Sequence, residues 1–150
     1  MKLLEKEWAV ELINWAKEYN IEDILDICSD RLYKNKEHAL LDLYSLNLEN
    51  KNIHTLPNSI VNLTNLKYLY LSDNDITIFP SMIFELTQLL YLDISNNRLT
   101  EVSLEITRLT SLKYLNISNN NIMPIPKYLH FSDLTNFAWN EDDILSKIND

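Results

Sequence analysis

The side chains in this sequence able to ligate a metal or attack an electrophile are few. His38, His54 and His130 are scattered, with no second ligand at metal-binding spacing, which argues against a zinc site. The single cysteine, Cys28, lies on an apolar stripe with no basic residue fixed beside it and no evident His or Asp partner. It reads as a small core residue and not as a nucleophile. No Ser-His-Asp or Cys-His arrangement is spelled, and the absence of glycine removes phosphate-cradling loops. Asn62-Leu63-Thr64 and Asn116-Ile117-Ser118 match the glycosylation acceptor, a chance match in a chain so rich in Asn and without a secretory signal. No catalytic residue, metal site or cofactor is therefore expected. The chemistry that remains is recognition. Tyr68, Tyr91 and Tyr114 recur at intervals of 23 residues, with Lys67 and Lys113 just before two of them and Tyr70, Asp93 and Asn116 two positions after. Tyrosine offers a large contact area at small entropic cost and is enriched at binding hot spots.

Those residues sit between others that repeat for a different reason. The stretch LKYLYLSDNDITIF places Leu66, Leu69, Leu71, Asn74 and Ile76 as L-x-x-L-x-L-x-x-N-x-L, and the spelling returns at Leu89 and Leu112. Aligned on the leading leucine, four repeats begin at Leu43, Leu66, Leu89 and Leu112, the last one residue shorter. Each keeps apolar residues at positions 1, 4, 6, 11 and 14. The alternation within L-x-L is strand periodicity, so each repeat predicts one short strand with its leucines inward, stacked in parallel on the next. Asn74, Asn97 and Asn120 fall where the chain leaves the strand. There an Asn side chain can supply donors and an acceptor to backbone groups without a ladder partner. The first repeat has Lys51 at this place, and its corner is expected to be looser or satisfied by the preceding segment. In the second half of each repeat, Leu56-Pro57, Phe79-Pro80 and Ile125-Pro126 predict brief helical turns on the outer side, whereas Val102-Ser103 in the third repeat predicts a different turn.

Over residues 43–139 these motifs resemble the leucine-rich repeat family, in its 23-residue form with an LPxxIxxLTxL segment. The lead-in helices, with WA and LL pairs, are similar to those of some small bacterial members. The resemblance implies an α/β solenoid: a short right-handed superhelix with parallel strands on its concave side and helical turns outside. It also implies protein recognition without chemistry of its own.

Around the repeats (residues 42–131) the sequence predicts two closing pieces, within one structural domain. In residues 1–41, Leu4, Trp8, Leu12, Trp15 and Tyr19 mark one face of a helix that Asn20 ends, and both tryptophans read as core. A second helix is expected from about Glu22 to Leu32, followed by a turn at Lys34-Asn35-Lys36. In residues 132–150, Leu134, Phe137 and Trp139 spell a degenerate fifth strand, and Asp142 and Asp143 open a helix whose Ile144, Leu145 and Ile148 would fold over the exposed end. Solenoids need such terminal caps because their end repeats otherwise expose the core.

The concave face follows from register. Adjacent parallel strands lie about 4.8 Å apart, so Tyr68, Tyr91 and Tyr114 form an exposed stripe roughly 10 Å long. Lys67 and Lys113 flank one side; Ser72, Asp73, Ser95, Asn96, Ser118 and Asn119 line the other. The candidate protein-binding residues are Lys67, Tyr68, Tyr70, Asp73, Tyr91, Asp93, Lys113, Tyr114 and Asn116. A net charge of −9 argues against nucleic acid or an anionic membrane as partner. No apolar run approaches the length of a membrane span, and charges directly after Leu3 and Leu4 break any signal-peptide core, so a cytoplasmic, monomeric protein is expected. Three functions remain open: a non-enzymatic interaction scaffold, with delivery into a host cell as a variant; the substrate-recognition part of a larger enzyme system such as ubiquitin transfer; and a self-associating structural protein.

Overall fold

The L-x-L alternation folds into five three-residue strands: β1 (Ser45–Asn47), β2 (Tyr68–Tyr70), β3 (Tyr91–Asp93), β4 (Tyr114–Asn116) and β5 (Asn136–Ala138). The computed structural model describes residues 6–30 and 35–123, and the backbone of β5. The strands are parallel and follow chain order across one sheet. Leu46 pairs with Leu69, Leu69 with Leu92, Leu92 with Leu115 and Leu115 with Phe137. In β1 to β4 the central leucine is fully buried while its two neighbours face outward, as period-2 geometry requires.

Among the described residues, three 3-10 turns return the chain on the outer side, over Asn58–Asn62, Ser81–Glu85 and Leu104–Arg108. Pro57 and Pro80 stand immediately before the first two, with φ of −73° and −68°, which the pyrrolidine ring pre-sets. The third turn, expected to differ, has the same length. Ser103 takes the proline's place, and its Oγ accepts a hydrogen bond from the Glu105 N–H at 3.2 Å. Ile60, Ile83 and Ile106 project from these turns into a core of stacked leucines that runs from Ala9 to Ile122. Phe79 and Phe84 stack within it at 5.2 Å.

Buried amides fix each corner. The Nδ2 of Asn97 donates to the carbonyls of Leu71, Ile94 and Ser95, and its Oδ1 accepts from the Ile76 N–H at 3.0 Å. Asn74 donates to Leu48, Leu71 and Ser72 and accepts from the N–H groups of Lys51 and Ile53. Asn120 repeats the arrangement against Ile94, Ile117, Ser118 and Leu99. Just before them, Asn50, Asp73, Asn96 and Asn119 adopt φ between 52° and 57°. A chain without glycine thus fills its left-handed positions with the two residue types that tolerate them best after glycine.

The N-terminal segment holds three helices: α1 (Glu7–Glu18), α2 (Glu22–Ser29) and α3 (Lys36–Leu41). Asn20, at φ 51°, turns the chain between the first two. Trp15 is buried and Trp8 packs half-buried against the core. The helix α3 corrects the expected turn at Lys34-Asn35-Lys36. Asn35 Oδ1 accepts from the His38 N–H at 3.1 Å, so the polar run contains an N-cap, and Lys36 is already helical. The helix α1 packs on the Asn58–Asn62 turn and shares the core with the repeats. The open edge of β1 is met by α2: Asp23 Oδ2 accepts from the Asn47 N–H at 2.7 Å, where an inner strand would find a neighbouring carbonyl. Lys51, the odd residue of the asparagine column, extends its Nζ to the carbonyl of Asn20, 3.1 Å away. The expected start of the first helix at Leu4, the end of the second at Leu32, the turns after Pro126, and the closing helix from Asp142 lie outside the described residues.

The corner amides predict an uneven response to truncation. Asn97→Ala leaves the buried Ile76 N–H without its acceptor and takes one donor from the carbonyls of Leu71, Ile94 and Ser95, each of which keeps another. It should cost about 2 kcal/mol, whereas Lys51→Ala should cost less than about 1 kcal/mol. Urea unfolding followed by circular dichroism measures both. Equal losses would show that the column is not held by its amides.

Candidate recognition surface

Strand register sets the outward side chains of β1 to β4 in columns. Ser45, Tyr68, Tyr91 and Tyr114 occupy one and Asn47, Tyr70, Asp93 and Asn116 the next, while the backbone of Asn136 and Ala138 continues the register on β5. Tyr68 and Tyr91 lie 6.1 Å apart between ring centroids, and Tyr91 stacks parallel on Tyr114 at 4.2 Å. Tyr70 joins from the second column, 5.0 Å from Tyr91. The rings are half-buried, not freely exposed as the spelling predicts, because each shields its neighbour. Offset and tilted pairs at such separations add about 0.5–1.5 kcal/mol each beyond burial.

Tyr44 extends the row. Its ring lies 5.3 Å from Tyr68, and it is 52% exposed, which makes it the most accessible member. It is absent from the residues picked out by sequence because it sits one place before the strand column, where the later repeats carry Lys67, Leu90 and Lys113. A signal existed: the one repeat whose strand lacks tyrosine, at Ser45, has a tyrosine directly before it.

Beside the aromatic row lies a hydrogen-bonded polar network. Asp93 Oδ1 accepts from the N–H and the hydroxyl of Ser95, at 3.0 and 2.6 Å, while Oδ2 accepts from Asn116 Nδ2 at 3.0 Å. Asn116 Oδ1 accepts in the same way from Ser118, and Asn47 Oδ1 from the Glu49 N–H. Short Asx side chains thus close a turn at the end of three strands. Tyr70 interrupts that series. In its repeat the Ser72 hydroxyl donates across to Glu49 Oε1 at 2.8 Å. Ser72 and Ser95, expected to line the face, are buried beneath it. Asn119 donates to Asn96 at 2.6 Å along the rim.

Among the remaining candidates, Lys67 is half-buried and donates to Gln88 Oε1 at 3.0 Å. Lys113 occupies the corresponding place before Tyr114 and is exposed, as is Asp73. The asparagines Asn74, Asn97 and Asn120 belong to the corner and not to this face. Electrostatics separate the tyrosines. Burial, then the hydrogen bond to Tyr114 and the charge of Asp93, push the Tyr91 phenol far above its ordinary value. A hydrogen bond with Tyr68 raises that of Tyr44. Cys28 does have cations near it, Lys36 and Lys17, contrary to the sequence reading. Burial outweighs them and raises the thiol, which disfavours the reactive thiolate. Among the described residues no group of His, Cys, Asp and Glu could hold a metal, and no helix is long and apolar enough to cross a membrane.

A family model described as a leucine-rich repeat region matches residues 16–137. No curated protein matches the chain. Among solved structures it is similar to a leucine-rich repeat protein of Leptospira interrogans, at 33% identity and a TM-score of 0.59 over 70% of this chain and 27% of that one. An internalin of Listeria monocytogenes matches at 28% identity and 0.54, over 70% of this chain and 36% of its own. A plant peptide hormone receptor, RGFR1, in complex with RGF2, matches at 25% identity and 0.54, over 69% of this chain and 18% of its own. The chain spans well under half the length of each.

The raised Tyr91 phenol has a measurable consequence. Because its folded value exceeds the unfolded one, the neutral form is favoured by folding. That stability is whole below the ordinary tyrosine value, about 10, and is lost as pH rises above it. A spectrophotometric titration at 295 nm should show a late-ionising tyrosine coincident with alkaline unfolding, and Tyr91→Phe should remove that component. A single ordinary transition in the wild type would contradict the assignment.

Proposed function

The chain belongs to the leucine-rich repeat family, and on that premise we propose that it is a non-enzymatic scaffold binding a protein partner through its concave sheet face. The fold is one typical of protein-interaction scaffolds and receptors. The observation that carries the reading is the unbroken aromatic row Tyr44–Tyr68–Tyr91–Tyr114, with Tyr70 beside it. Its rings are ordered against one another before any partner arrives, so binding loses little side-chain freedom. The polar rim of Lys67, Asp73, Asp93, Lys113 and Asn116 would set specificity. The strongly negative chain repels nucleic acid and anionic lipid, leaving protein as the partner class. The protonated, half-buried Cys28 speaks against an enzyme that passes a group through a thiolate. The protein acts as a monomer in this reading, and light scattering at high concentration should return the mass of one chain.

The test is a triple variant, Tyr68→Ala, Tyr91→Ala and Tyr114→Ala, compared with wild type in quantitative affinity capture read by mass spectrometry. Partners specific to the wild type should be lost at least about tenfold while far-UV circular dichroism is retained. Undiminished capture by the folded triple variant would overturn the assignment.

A further inference from the structure

We propose that the partner segment is cationic, and that one of its arginine side chains seats on Tyr70 between the carboxylates of Glu49 and Asp93. This inference rests on the concave-face reading above and specifies the partner's chemistry.

Three observations lead to it. First, Tyr70 is the one aromatic residue in a column that on β1, β3 and β4 holds the shorter Asn47, Asp93 and Asn116. Asn47 and Asp93 stand in register on either side of it, one on each neighbouring strand. The Tyr70 ring leans on Tyr91 at 5.0 Å and stays half-exposed, so part of it is open to an incoming side chain.

Second, a fixed carboxylate stands on each side. Glu49 is held by Ser72 Oγ on one oxygen and by Asn47 Nδ2, at 3.3 Å, on the other. Asp93 is held by Ser95 and Asn116. Every one of these donors is neutral, so the hydrogen bonds orient the carboxylates without cancelling their charge. Among the described residues the ion pairs are Lys6–Glu37, Arg98–Asp75 and Arg108–Glu85, and none engages Glu49, Asp73 or Asp93. Asp73, exposed at the end of β2, and Asp23, bound to the Asn47 N–H at the sheet edge, extend the negative arc along β1 to β3.

Third, the cations are elsewhere on the face. Lys67 and Lys113 lie before the tyrosines, at the opposite ends of the strands, and Leu90 separates them in their own column. Lys67 is already engaged by Gln88. The face therefore has a negative margin that is continuous and a positive one that is interrupted. A segment laid along the tyrosine row meets the carboxylates on one flank. A planar guanidinium can lie on a phenol ring and donate sideways to two carboxylates at once, which an ammonium does less well. An anionic segment would be repelled by the arc.

The experiment uses the whole chain and a defined probe: a short Gly-Ser peptide with three arginines, compared with the same peptide carrying three glutamates. Nuclear magnetic resonance titration of backbone amides should show shifts centred on Asn47, Glu49, Tyr70, Ser72 and Asp93 with the arginine peptide only, weakening as salt is raised. The double variant Glu49→Gln, Asp93→Asn should weaken binding about fivefold, and Tyr70→Leu by a similar factor. Arginine-peptide affinity unchanged by the double variant, shifts centred outside β1 to β3, or equal binding of the glutamate peptide would overturn the proposal. Should the triple tyrosine variant lose a captured partner that the double variant and Tyr70→Leu both retain, the cationic anchor is wrong and the concave-face reading stands.

Discussion

A buried asparagine amide at each corner is the constraint on which the rest depends. Asn97 reaches backward to the carbonyl of Leu71 and the N–H of Ile76 in the preceding repeat, and locally to Ile94 and Ser95. Those partners are backbone groups at fixed heights in two successive layers. An insertion of one residue between corners would move the amide off all of them, and would also flip the strand's leucines outward. Both penalties act at the same place, so the 23-residue spacing is held twice over. Everything in register on the surface follows from it. Asp75 meets Arg98 at 2.6 Å, Glu85 meets Arg108 at 2.8 Å, and Asn96 meets Asn119, each pair one repeat apart.

Backbone conformation supports the same corner without glycine. Left-handed φ at Asp73, Asn96 and Asn119 lets the chain leave each strand and present the next residue's amide inward, and Asn50 takes the same φ before Lys51. Asn and Asp carry some strain there, and Gly would carry none, but Gly would also add freedom to the unfolded chain. Their side chains contribute as well, as Asn119 does by donating to Asn96. Composition that looks anomalous in isolation is consistent with a repeat that places one left-handed Asx residue at each corner, to which the first repeat adds Asn52 at φ 56°.

The features legible in the sequence are those that the period itself copies. The strand leucines, the asparagine corners, the outer turns and the columns of the concave face each occur several times, so each occurrence supports the others. Most of the features missed occur once. The helix α3 depends on Asn35 capping a segment of six residues, a local signal indistinguishable by spelling from a turn. Asp23 accepting from Asn47 joins positions 24 apart that share no motif. The inward position of Ser72 and Ser95 depends on which acceptors stand nearby, Glu49 for one and Asp93 for the other. Register predicted the tyrosine column, but not that its rings would stack on one another and draw in Tyr44.

That stacking gives the concave face two roles that pull in the same direction. The rings support the sheet by packing in pairs, and they stay half-exposed. A face evolved only for stability would bury such rings or replace them with branched aliphatics, which favour strands and expose less polar surface. One kept only for contact would not need them parallel at 4.2 Å, as Tyr91 and Tyr114 are. Ordered rings whose hydroxyls bond to one another, Tyr91 with Tyr114 and Tyr44 with Tyr68, satisfy both demands. The interruption of the neighbouring column by Tyr70 satisfies neither as cheaply as an Asx residue would, since Ser72 must then find its acceptor on another strand. A side chain that breaks a pattern obeyed by Asn47, Asp93 and Asn116 is where the surface departs from what stacking alone requires.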